Sequence, residues 1–182
     1  DNEVDSLTDA VTLYLRELST RDLVDPQPER LQVYLGVTSY LENIADIIET
    51  GVAADSRKRL EKDLDFTEET EDYIKDIYKE LYLAAQATVE ALIEDDKEKA
   101  KAVMDNKSRF NGLVEKARTN VYNRLKSEKS GGLAVYKIET STIENFRRIH
   151  NLLRRICKLI LGAEENVQQE IKPVDGDVSA DQ

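Results

Sequence analysis

The chain has 182 residues and a net charge of -11, and its 35% charged and 6% aromatic side chains suit long solvated helices better than a sandwich or barrel. An acid excess of this size argues against nucleic acid as a partner, because phosphate binding needs a clustered positive field. A single cysteine, Cys157, excludes an internal disulfide and fits a reducing compartment, and no apolar run approaches the roughly twenty residues that cross a bilayer.

The first helix is predicted over about 3–22, with Val4, Leu7, Val11, Tyr14, Leu15 and Leu18 in helical period. The second begins at Asp25, an N-cap, with Pro26 at the first helical position, where its missing N–H costs nothing. Tyr34, Val37, Leu41, Ile44, Ile48 and Val52 mark its buried face, so Leu41→Asp is expected to unfold the chain. On the neighbouring face Glu42, Asp46 and Glu49 stack at i, i+4 and i+7. Three like charges on one ridge repel unless cations, arginines or water neutralise them. The ridge is therefore a candidate for a divalent metal or a solvated face. A hard cation wants more oxygen ligands than one ridge offers, so acids of other helices, such as Asp9 and Glu17, would have to join. This helix is expected to end near Gly51, leaving Asp55-Ser56-Arg57-Lys58-Arg59 as a polar connector that holds no site.

Thr67 is the predicted cap of a third helix that runs to about Ile93, with Glu68, Glu69 and Glu71 where the helix dipole favours negative charge. Its core stripe comprises Ile74, Ile77, Tyr78, Leu81, Ala84, Ala85, Thr88 and Leu92, and its tyrosines are read as packing residues. Asp95-Asp96-Lys97-Glu98 opens a fourth helix almost without a loop, carried by Phe110, Leu113, Val114, Ala117, Val121 and Leu125. Ser130-Gly131-Gly132 ends it as a hinge, since it lacks the spacing and lysine of a phosphate loop. A fifth helix is predicted over about 133–162, followed by an acidic, disordered tail over 164–182.

A shift of 105 residues lays Leu41, Glu42, Ile44, Asp46, Ile48 and Glu49 over Phe146, Arg147, Ile149, Asn151, Leu153 and Arg154. Every apolar position stays apolar, which points to two related units. The ridge, however, changes sign: Arg147 and Arg154, with Lys158 one turn on, are candidates for an oxyanion, a partner surface or the neutralisation of the fold's own acids. His150 and Cys157 are read as buried packing residues. No enzyme is expected, because no Glu-x-x-His spacing surrounds His150 and no zinc, cysteine or triad cluster appears.

Leu41-Glu42-Asn43-Ile44-Ala45-Asp46, with Glu49, resembles the signature of the PhoU family, helical proteins tied to the control of phosphate transport. Tyr14-Leu15-Arg16-Glu17-Leu18-Ser19 with Leu23, and Asp63-Leu64-Asp65-Phe66-Thr67, add to the resemblance, which runs from about Leu7 to Leu161. In the family both repeats carry the acidic motif with metal clusters; here the second does not. Phe146-Arg147-Arg148-Ile149-His150-Asn151 looks like the form found in the cytosolic C-terminal PhoU-like domains of bacterial sodium/phosphate symporters.

The expectation is an all-α antiparallel bundle of about five long helices, PhoU-like, with repeats at about 3–94 and 95–163, the second truncated because it lacks a sixth helix. The helices are expected to pack as a three-helix and a two-helix unit around a shared core, with helix two beside helix three. The opening at Asp1, with Met104 the one methionine, suggests a piece of a longer chain. The function implied by the resemblance is a regulatory domain at the inner face of the cell membrane, touching the membrane portion of a phosphate transporter in the same chain. A homodimer is a further partner considered. The alternatives are a free-standing metal-binding phosphate regulator and a ligand-free helical adaptor.

Overall fold

A computed structural model describes residues 2–20, 27–126 and 132–170, with the side chains of 2, 27 and 163–170 not included. The expected Asp25-Pro26 start, the Ser130-Gly131 hinge and the tail from 171 lie outside the described residues. The described chain is an all-α bundle of five helical rods, without a strand among the described residues. No described helix is long and apolar enough to cross a membrane.

The first rod is α1, Asn2–Ser19. The second is a composite: α2, Gln27–Asp46, passes through a π-helical segment, Ile47–Ala53, into α3, Ala54–Glu61. The expected break at Gly51 is therefore corrected. A Cβ on Gly51 would stand 2.6 Å from Asn145 Nδ2, so glycine is there for a close helix approach within a continuing rod. The rod ends ten residues on from that point in sequence, where Leu64 N–H donates to Arg59 O at 3.0 Å and Asp63 N–H to Leu60 O at 3.3 Å. These two bonds, with Asp63 left-handed at φ 49°, close the helix in a Schellman turn.

Thr67 caps α4, Glu68–Glu94, by accepting from Thr70 N–H at 3.3 Å. Asp95, left-handed at φ 54°, ends it, and Asp96 caps α5, Lys97–Asp105, through Lys99 N–H at 3.1 Å. The predicted fourth helix is interrupted at Asn106 before α6, Lys107–Lys126. Buried Glu80 of α4 holds that joint, accepting from Asn106 Nδ2 at 3.2 Å and Arg109 Nη2 at 2.6 Å. Helix α7, Gly132–Glu170, continues past 163, which corrects the predicted start of the tail.

The packing differs from the expected three-plus-two division. Helix α7 packs against α2, the π segment, α3, α4, α5 and α6, whereas α2 and α4 do not pack side by side. The reason lies in the breadth of the apolar surface of α7: beside the buried stripe of Ile143, Phe146, Ile149, Leu153, Ile156 and Ile160, the flanking Leu152, Leu159 and Leu161 also pack against the core. A helix apolar over so wide an arc belongs at the centre of a bundle. Helix α1 lies outside this arrangement and packs on α2 alone among the described elements, with Leu15 its one buried apolar residue.

The second rod is consequently rotated from its predicted setting. Val37 and Ile47 are buried, with Val33, Tyr40 and Ile44 packed against the core. Tyr34, Leu41 and Ile48 are 44–48% exposed, so Leu41 is not a core residue. Tyr78, also predicted as core, is 56% exposed, although its ring stacks on Tyr82 and leans on Phe146. The apolar positions matched by the shift of 105 residues thus have different surroundings: Leu41 and Ile48 face outward, while Phe146 and Leu153 are buried.

Candidate functional site

Glu42 and Glu49 are half-buried and Asp46 is exposed, and none has an ion-pair partner among the described residues. At the helical rise, Glu42 and Glu49 stand about 10 Å apart along the axis, too far to close on one ion by themselves. The π segment that begins at Ile47 also changes the angular step before Glu49. Among the described residues no group of three or more acidic, histidine or cysteine side chains is placed to hold a metal ion. Asp9 and Glu17, which would have to join the ridge to complete a cation site, belong to no such group.

The basic ridge is similarly spread along one helix. Arg147 Nε donates to Glu144 Oε2 at 2.9 Å, and this hydrogen bond holds the Glu144 carboxyl below its ordinary range. Arg154 is half-buried with its Nε lacking a hydrogen-bond partner, and Lys158 is exposed. Arg147 and Lys158 are about 16 Å apart along the axis, so the three cations do not gather on a single oxyanion. Of the three, only Arg147 neutralises an acid among the described residues, and that acid is on its own helix.

Three buried groups lie further inside: His150, Cys157 and Glu139. His150 is 1% exposed and its ring lies flat on Phe110, with centroids 3.8 Å apart and planes 3° from parallel. The predicted packing role holds, but Nε2 has no hydrogen-bond partner. Burial, and then the charge of Arg154, lower its pKa to about 4, so the ring is neutral at pH 7. Cys157 is fully buried beside Thr88, and burial pushes its thiol up, which keeps it inert. Glu139, also fully buried, pairs with Arg124, which reaches Thr67 and Thr70 at the head of α4. This ion pair ties α6 and α7 to the start of α4.

A cleft of about 520 Å³ opens where the π segment and α3 face α4 and α7 across the 62–67 connector. Phe66, Ile74, Ile138 and Phe146 supply apolar wall, and Asp55, Asp63 and Asp65 supply carboxylates. Asp55 lies in α3, where a polar connector was expected, and is buried. Its side chain is 8% exposed, Oδ1 is 3.6 Å from Lys58 Nζ, and Oδ2 has no hydrogen-bond partner among the described residues. Arg59, which also lines the cleft, donates to Leu64 O and Glu71 Oε1 and lies 4.1 Å over the Phe66 ring. The sequence did carry a signal for Asp55. Ile47, Gly51 and Asp55 follow one another in steps of four, so a rod continuing through Gly51 brings Asp55 onto the face that packs on α7.

No family model, curated protein or solved structure matches this chain.

Proposed function

We propose that this chain is a regulatory domain that works by protein contact in phosphate transport, as a cytosolic PhoU-like part of a sodium-dependent phosphate transporter at the inner face of the membrane. The reading rests on the resemblance at Leu41 to Glu49 and at Phe146 to Asn151. The observation that carries the contact mechanism is the state of the charged ridges. Glu42, Asp46 and Glu49 have no internal ion-pair partner among the described residues, and Lys158 of the basic ridge, with Arg148 on the neighbouring face, is exposed. Charges left facing water cost little to keep and are ready to meet a partner, whereas those already paired within the fold are not.

Coupling of this kind requires contacts that differ between transporter states. Exposed ridges suit that role, because they change the energy of a contact without altering the core. Charge reversal of two exposed residues, Arg148→Glu with Lys158→Glu, is expected to leave the fold intact and change the kinetics of sodium-driven phosphate uptake or its response to external phosphate. Uptake measured in cells expressing the whole transporter tests this. Uptake indistinguishable from the parent, at equal protein level, would contradict it.

A further inference from the structure

We infer that the cleft between α3, the 62–67 connector, α4 and α7 is a binding site for an organic cation, a protonated amine or a guanidinium carried on an apolar body. The inference begins with Asp55. A carboxylate oxygen removed from water without a hydrogen-bond partner is costly, and native structures almost always meet such a group with a donor. The side chain of Asp55 is more than nine-tenths buried, it lines the cleft, and its Oδ2 has no donor. Lys58 does not supply one, since its ammonium stands 3.6 Å from the other oxygen, Oδ1, on a side chain that is 57% exposed.

The chemistry of the wall narrows the class of ligand. Asp63 and Asp65 add negative charge to the same cleft, which opposes an anion. The guanidinium of Arg59 is already committed to Leu64 O and Glu71, and the Lys58 ammonium offsets only one of the three carboxylates, so the cleft keeps a negative excess. A bare metal ion is poorly served, because no group of three ligating side chains comes together among the described residues. An ammonium or guanidinium brings both the charge and the missing N–H donor. Its carbon body then has Phe66, Ile74, Ile138 and Phe146 to lie against. The volume of about 520 Å³ is that of a small-molecule site, and the π segment on its border is a distortion often found at functional positions. The site lies apart from both charged ridges and does not depend on the transporter reading.

The test uses the full 182-residue chain and calorimetric titration with hexylammonium, hexylguanidinium, hexanol and hexanoate. The cations are expected to bind at least about tenfold more tightly than hexanol, with hexanoate weakest. Asp55→Asn, which keeps the shape and removes the charge, is expected to abolish that preference while leaving the thermal melt unchanged or raised. Ser56→Trp, at an exposed cleft position that retains Asp55, is expected to weaken all the ligands together. A blocked peptide with a single arginine separates the two sources of this chemistry. Tighter binding than hexylguanidinium identifies a side chain of a partner protein, and weaker binding identifies a free amine. Hexanol binding as tightly as hexylammonium, a preference that survives Asp55→Asn, or no cation binding below about 10 mM would overturn the inference.

Discussion

His150 shows how one ring sets a pH dependence for the whole bundle. It is neutral in the fold because burial and Arg154 both disfavour its charged form, which lowers its pKa from 6.5 to about 4. Between those values the unfolded chain binds a proton that the folded chain does not, so stability falls as the pH drops. The expected loss is roughly 2 kcal/mol between pH 6.5 and 5, in urea titrations at a series of pH values. His150→Phe, which keeps a flat ring against Phe110, is expected to remove that share of the slope. A slope unchanged by the substitution would show that other groups carry the acid sensitivity. At the same scale, Val37 and Leu41, both predicted on the buried face of the second helix, part company. Val37 is 3% exposed and Leu41 44%, so Val37→Asp is expected to unfold the chain, whereas Leu41→Asp changes stability by about 1 kcal/mol or less. Thermal melts of the two variants decide between the faces. The stripe was misjudged because both settings of α2 present apolar residues at steps of three and four, and only the position of α7 selects one.

At the scale of elements, the second rod depends on the fit between Gly51 and Asn145. Alanine has the better helix propensity by about 1 kcal/mol, which on its own would make Gly51→Ala stabilising. The new methyl group would instead meet Asn145 Nδ2 at 2.6 Å and Cγ at 2.9 Å. Asn145 is buried and short, so it has little room to withdraw. Gly51→Ala is therefore expected to destabilise by about 1–3 kcal/mol in denaturant unfolding, and Gly51→Ala with Asn145→Ala to recover most of the loss. A stabilising single substitution would mean that the rods are less closely packed there. Most caps were legible in the sequence, because their signals are local: Thr67 and Asp96 each bind the N–H three residues on. The π segment and the joint at Asn106 were not. Each meets a residue far along the chain, Gly51 of the first packing on Asn145 and Asn106 of the second bonding to Glu80, and no local pattern announces them. Asp55 was missed for a different reason: its steps of four from Ile47 and Gly51 are visible, but they count only if the rod continues beyond Gly51.

Over the whole molecule, α7 organises the fold and α1 is held at its edge. The all-α class and the number of long rods follow from composition, spacing and breakers, which act along the chain. The order of packing follows from how widely α7 is apolar, which sets α2 and α4 on different sides of it. That arrangement leaves the acidic and basic ridges spread along their helices instead of focused on one ion, which favours a surface for protein contact over a compact ligand cage. A contact domain of this kind exerts its effect through whatever it touches, so its removal has to be felt at the partner. The most direct measurement of the proposed role is sodium-driven phosphate uptake by the transporter proposed to carry this 182-residue segment, with and without it, at matched protein level and over a range of external phosphate. The account predicts that deletion alters the uptake kinetics or their response to phosphate. Uptake, regulation and protein level all unchanged after deletion would contradict it.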